Sequence, residues 1–80
     1  MSDLRQTIRD AISRVAPDVD PSSIPNDAEI REEAGLDSMD LLSVLAEVAK
    51  ATGVEVPEAE YGSITTIDDF AEYLRSHVGA

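Results

Sequence analysis

The hydroxyl of Ser38 is the group in this chain best placed for covalent chemistry. It lies in Gly35-Leu36-Asp37-Ser38-Met39-Asp40-Leu41-Leu42, where a long connection gives way to an amphipathic helix. Asp37 is of the type that caps a helix by accepting from its first free backbone N–H groups. Ser38 then falls in the first turn, with its hydroxyl open to solvent. A negatively charged group attached there sits at the positive end of the helix dipole. The chain has no Cys and a single His, His77, near the C-terminus. For His77 to act on Ser38 would take close geometry and a third, orienting group, and nothing in the sequence supplies them. Ser38 therefore reads as a residue that other proteins modify, and the chain as a carrier rather than a catalyst. Ser22, Ser23 and Ser63 stand among turn residues without a comparable helix start.

The elements that position Ser38 follow from apolar spacing. Leu4, Ile8, Ile12 and Val15 make one helical stripe, with Arg5, Arg9, Asp10 and Arg14 on the other sides, and Pro17 stops this first helix. Residues 17–36 form a long connection carrying Pro21, Pro25 and Gly35. Ile24, Ile30 and Leu36 within it are expected to pack down onto the core, with a short helical turn over 26–33. A second helix runs from about Asp37 to Thr52 and stops at Gly53. At roughly 100° per residue, Leu41, Leu42, Val44, Leu45, Val48, Ala49 and Thr52 share its inner arc. Met39, Asp40, Ser43, Ala46, Glu47 and Lys50 share its outer arc.

Val54, Glu55 and Val56 are extended before Pro57, and a brief helix follows over 58–62. Thr66 opens the last helix. With Asp69 it forms a capping box in which Asp replaces the usual Glu. Ile67, Phe70, Ala71, Leu74 and Val78 are its buried stripe. The expected fold is all-α: three principal helices and one short one, with the long loop between the first two, as one domain over 1–80. Val54–Val56 and Ile64–Ile67 are strand-like but too short to carry a sheet.

Composition narrows the function. Six basic residues stand against 17 acidic ones, a net charge of −11. Nucleic acid and anionic membranes are repelled by such a surface, and a basic protein partner complements it. The absence of Cys excludes disulfides and thiolate metal sites, and one His excludes a multi-histidine site. Asp18, Asp20, Ser22 and Glu29 are spaced like calcium-loop ligands. Ser23 stands where that loop needs Gly, however, and Pro21 and Pro25 stiffen it, so no metal site is expected. With no long apolar run and a charged start after Met1, neither a membrane span nor a secretory signal is expected, which fits a cytoplasmic, monomeric protein.

Three blocks now carry a resemblance. Asp37-Ser38-Met39 resembles the Asp-Ser-Leu motif of the acyl carrier proteins. Gly53-Val54-Glu55-Val56-Pro57 resembles their segment after the second helix, and Ile64-Thr65-Thr66-Ile67 with Asp68-Asp69 their lead into the last one. The blocks fall in the family's order and spacing over about residues 4–75. The resemblance implies that Ser38 carries a 4′-phosphopantetheine arm. A transferase using coenzyme A and magnesium would attach it. The arm ends in a thiol that holds acyl groups as thioesters, so a protein without Cys can serve thiol chemistry.

The resemblance also implies an acyl pocket between helices, for which Leu42, Leu45, Val56, Ile64 and Ala71 are candidates. Asp37, Met39, Asp40, Ala46 and Glu47 are candidates for contact with the phosphopantetheinyl transferase and with acyl-loading and acyl-transferring enzymes bearing basic docking patches. Glu55, Glu58 and Glu60 extend the acidic surface. The outer arc departs from the familiar fatty-acid carriers: Ser43 and Lys50 stand where acids are typical and Ala46 where a larger apolar residue is. A specialised polyketide, lipid or amino-acyl pathway therefore fits as well as fatty-acid synthesis. The alternatives are an aminoacyl or peptidyl carrier, although Gly35-Leu36-Asp37-Ser38 lacks the Gly-Gly-[His/Asp]-Ser pattern of peptidyl carriers, and an acidic helical interaction module whose Ser38 stays unmodified.

Overall fold

A computed structural model describes residues 4–77. Four α-helices follow one another: α1 (Leu4–Val15), α2 (Ile30–Ala34), α3 (Ser38–Thr52) and α4 (Ile67–His77). Two 3-10 helices, Pro21–Ser23 and Glu58–Ser63, lie in the connections. The three long helices have the expected bounds. The short helix after Pro57 is present in 3-10 form, and α2 is a further five-residue turn just C-terminal to the centre of the expected one. Strand character among the described residues is confined to one antiparallel bridge between Glu29 and Thr66.

α1 is the middle of the bundle, since its closest backbone packing is with α3 and with α4. Ile8 and Ile12 are wholly buried there, against Val44 and Val48 of α3 and Ile67, Phe70 and Leu74 of α4. Ile24, Ile30 and Leu36 of the long connection do fill the core, as does Ile64. No polar or charged side chain among the described residues is buried. Val78 lies outside the described residues.

The connection is held in place by polar contacts at its edge. Arg9, on the outer side of α1's stripe, donates to the carbonyls of Pro21 (3.2 Å) and Ile24 (3.1 Å) and to Asn26. The amide of Ile30 donates to the Thr65 carbonyl at 2.8 Å, and that of Asp68 to the Asn26 carbonyl at 3.0 Å. Asp20 caps the first 3-10 helix, accepting from the hydroxyl (2.7 Å) and the amide (3.0 Å) of Ser22. The Ser22 hydroxyl, and then its amide, hold the Asp20 carboxyl below its ordinary pKa. The stability from this cap is present above the ordinary carboxylate pKa and is lost as the pH falls through the lowered value. The acidic loop residue Asp20 is thus a capping residue.

At the start of α4, Thr66 Oγ1 accepts from the Asp69 amide at 2.9 Å. The reciprocal half of a capping box is replaced: the Asp69 carboxylate accepts from the Thr65 hydroxyl at 3.1 Å instead. Asp is one methylene shorter than the usual Glu, and it takes the nearer donor.

Phe70 is the largest of the fully buried side chains, at 0% exposure. Phe70→Ala is expected to cost about 3–5 kcal/mol, a large share of a domain this size, read as a fall in the urea midpoint.

Candidate functional site

The site is built at the corner between α2 and α3. Gly35 follows α2 in the left-handed region (φ 67°), which a residue with a Cβ adopts only at a cost. Its turn lets the Leu36 amide return to the Arg31 carbonyl at 2.9 Å, and Leu36, 7% exposed, drops into the core. Asp37 then enters extended (φ −91°, ψ −176°), and its carboxylate accepts from the Asp40 amide at 2.8 Å. Its carbonyl accepts from Leu41, so Ser38 is the first residue of α3. The amides of Ser38 and Met39 lie in the turn where α-helical geometry offers no acceptor.

Ser38 is exposed, and no described residue hydrogen-bonds its hydroxyl. His77 is elsewhere, in the last turn of α4, with its ring stacked on Tyr73 at 4.2 Å and Nδ1 2.8 Å from the Tyr73 carbonyl. Among the described residues no cluster of His, Cys, Asp or Glu is arranged to hold a metal ion. What the corner presents is a fixed, accessible hydroxyl at a helix start.

Around it, the outer arc of α3 is partly as expected. Met39 is 70% exposed and Ala46 and Ser43 are exposed. Asp40 is half-buried, and Glu47 is engaged within the chain, pairing with Arg14 at 3.5 Å and Lys50 at 3.7 Å. One inner-arc assignment is corrected: Leu42 is 38% exposed. Its flank of α3 faces the short 3-10 helix Glu58–Ser63, which is too small to cover it as a full helix would.

That missing cover leaves three depressions. A groove of about 460 Å³ is lined by Arg31, Ser38, Leu41, Leu42, Glu58 and Tyr61. An open depression of about 330 Å³ runs along α3, with Leu42, Leu45, Ala46, Ala49, Glu55, Val56 and Tyr61 in its wall. A third, about 210 Å³, includes Arg31, Leu41, Tyr61, Ile64 and Thr65. Of the five pocket candidates, Leu42, Leu45 and Val56 come together. Ile64 lines the third depression, and Ala71 is 1% exposed within the core and lines none of the three.

Arg31 and Tyr61 were not singled out in the sequence. Five of the six basic residues have side-chain partners: Arg5 with Asp68, Arg14 and Lys50 with Glu47, Arg75 with Glu72, and Arg9 with the loop. Arg31 is the one cation among the described residues without any, and it lines the Ser38 groove. The available signal was a lone Arg seven positions before Ser38 in an acidic stretch. Tyr61 is one of only three aromatic residues, and its short 3-10 helix has no periodic stripe to give it away.

Comparison with known proteins adds two findings. The sequence model of the family described as "Phosphopantetheine attachment site" matches residues 6–74. The acyl carrier protein of Rubrobacter xylanophilus is 33% identical over 76 residues, covering 91% of this chain and 94% of that protein.

The corner depends on its cap. Asp37→Ala is expected to destabilise the protein by about 1 kcal/mol in urea unfolding, and to speed hydrogen exchange at the Asp40 amide more than elsewhere in α3.

Proposed function

The chain belongs to the acyl carrier proteins, which carry rather than catalyse, and from that premise we propose that Ser38 bears the 4′-phosphopantetheine arm and that the groove beside it receives the acyl cargo. One observation carries this reading: Ser38 is exposed at the first position of α3, its hydroxyl has no partner among the described residues, and it borders a groove that shares Leu41, Leu42 and Tyr61 with two neighbouring depressions. When bound, the arm supplies a terminal thiol on which acyl groups are held as thioesters. The rest is the work of the chain's own residues.

Asp37 fixes the start of α3 and so the direction of the Ser38 Cα–Cβ bond. The first-turn amides and the helix dipole favour the phosphodiester charge, and Asp37 and Asp40 oppose it. Arg31, unpaired and on the wall of the same groove, is the residue that would offset them. Ser38 needs no base of its own, because the transferase brings one together with magnesium and coenzyme A. Met39 offers an exposed apolar anchor beside the attachment point, within an acidic face suited to enzymes with basic docking patches. Ser43 and Lys50 interrupt the acidic run on α3 and Ala46 stands where a larger apolar residue is typical, which supports a specialised polyketide, lipid or amino-acyl pathway beside fatty-acid synthesis. Cytoplasm, where transferase and coenzyme A meet, is the setting this reading assigns.

Intact-protein mass after incubation with coenzyme A, magnesium and a broad-specificity transferase tests the assignment. Wild type should gain the mass of one arm and Ser38→Ala none. Folded wild type that gains nothing, or a Ser38→Ala variant that still gains the arm, would overturn it. Arg31→Gln should leave the apo form's Tm nearly unchanged and lower that of the holo form by about 2 °C at low ionic strength, the scale of an exposed ion pair. The difference should fade in about 0.5 M salt, where charge interactions are screened.

A further inference from the structure

Arg31 is the one cation that the fold brings to the Ser38 groove, and the turn that places Ser38 also places Arg31. Its carbonyl accepts the amides of both Gly35 and Leu36, the latter at 2.9 Å, so the end of α2 is locked just before Ser38. At the start of α2 the Ile30 amide donates to the Thr65 carbonyl at 2.8 Å. The backbone of Arg31 thus stands between two anchored points, while its side chain is exposed. Glu58 lines the same groove, and Glu32 and Glu33 are neighbours on α2. Among the described residues, the guanidinium pairs with none of them.

Attachment of the arm brings more negative charge to this corner than it leaves there. The Ser38 oxygen bonds to the phosphorus of coenzyme A that bears the pantetheine. The bond from that phosphorus to the bridging oxygen breaks, and adenosine bisphosphate leaves with the electron pair. The hydroxyl proton passes to the transferase's base. Phosphoryl transfer is accelerated mainly by positioning and by neutralising charge on the phosphoryl oxygens. On this chain that charge arrives beside Asp37 and Asp40, in a molecule of net charge −11. Arg5, Arg9, Arg14, Lys50 and Arg75 are held by partners elsewhere. A guanidinium presents planar, paired N–H donors that match two oxygens of one phosphoryl group.

We propose that Arg31 is a residue this carrier contributes to its own modification: its guanidinium meets the phosphoryl oxygens of coenzyme A as the bond to Ser38 forms. This inference rests on the reading that Ser38 bears the arm. Its sign sets it apart from a role in docking. A partner with a basic patch binds a more acidic carrier better, so removing a cation favours association. Losing a contact made to the reacting phosphoryl group slows the transfer step instead.

The test follows arm transfer from coenzyme A by intact mass, in single turnovers with magnesium and a broad-specificity transferase in saturating excess. Unchanged apo Tm verifies that each variant is folded. Arg31→Gln should lower the single-turnover rate about three- to fivefold, the scale of one exposed charge contact, while the transferase concentration at half-saturation stays the same or falls. Arg31→Lys should recover part of the loss. Arg75→Gln removes a cation from α4, away from the groove, and should keep the wild-type rate. In Arg31→Ala, guanidinium ion well below denaturing concentration should raise the rate above that in sodium chloride of equal ionic strength.

An Arg31→Gln rate equal to or above that of a normally loading wild type would overturn this inference alone. An equal fall in Arg75→Gln would overturn it by placing the effect on net charge. A fall that neither Arg31→Lys nor guanidinium ion relieves would overturn it by placing the effect on local structure. A folded wild type that gains no arm would overturn the Ser38 assignment, and this inference with it.

Discussion

The packing of α1 against both α3 and α4 is the constraint on which the rest of the molecule depends. Ile8 and Ile12 give their whole surfaces to that contact, and the helices they touch are placed by it rather than by each other. No comparably close backbone packing joins α3 to α4. The space between them is closed by pieces of connection: Ile24, Ile30, Leu36 and Ile64 on the core side, and the 3-10 helix Glu58–Ser63 on the outer side. A site beside α3 follows directly, because a six-residue 3-10 helix cannot cover a fifteen-residue α-helix.

Charge is arranged on the same plan. The chain has 17 acidic and 6 basic residues, so cations are scarce and their placement is informative. Three of the six join elements: Arg5 ties α1 to the Asp68 turn of α4, Arg14 ties α1 to α3 through Glu47, and Arg9 holds the long connection. These are exposed or half-exposed pairs that contribute little individually. Their effect is to keep the acidic surface from pushing the helices apart. Arg31, by contrast, joins nothing and faces the groove that holds Ser38.

The fold was legible wherever a residue's fate depends on local pattern. The α1 stripe, the Pro17 stop, the Asp37 cap and the Gly53 stop (φ 76°) are all set by neighbours within a turn, and each was readable. The anchors Ile24, Ile30 and Leu36 were readable because isolated large apolar residues in a polar connection have few other places to go. What was hidden depends on partners distant in sequence. Helical periodicity puts Leu42 inward, since it registers an angle and not the size of the neighbour on that side. Asp69 pairs with Thr65 because a side chain one methylene short finds a different donor. At the site, Ser38 was legible from its motif. Arg31 and Tyr61 belong to it only through folding, which brings positions 31, 38 and 61 to one groove.

The interior has one further property. It contains no polar or charged side chain among the described residues, so no directional bond passes between helices inside the core. Within the core, the orientation of α3 about its own axis is held by the shapes of apolar side chains, while the exposed Arg14–Glu47 pair adds a weak tie at the surface. A small roll of that helix breaks no hydrogen bond inside the core and is resisted there by repacking. Its cost therefore scales with the volume displaced and not with a number of bonds broken.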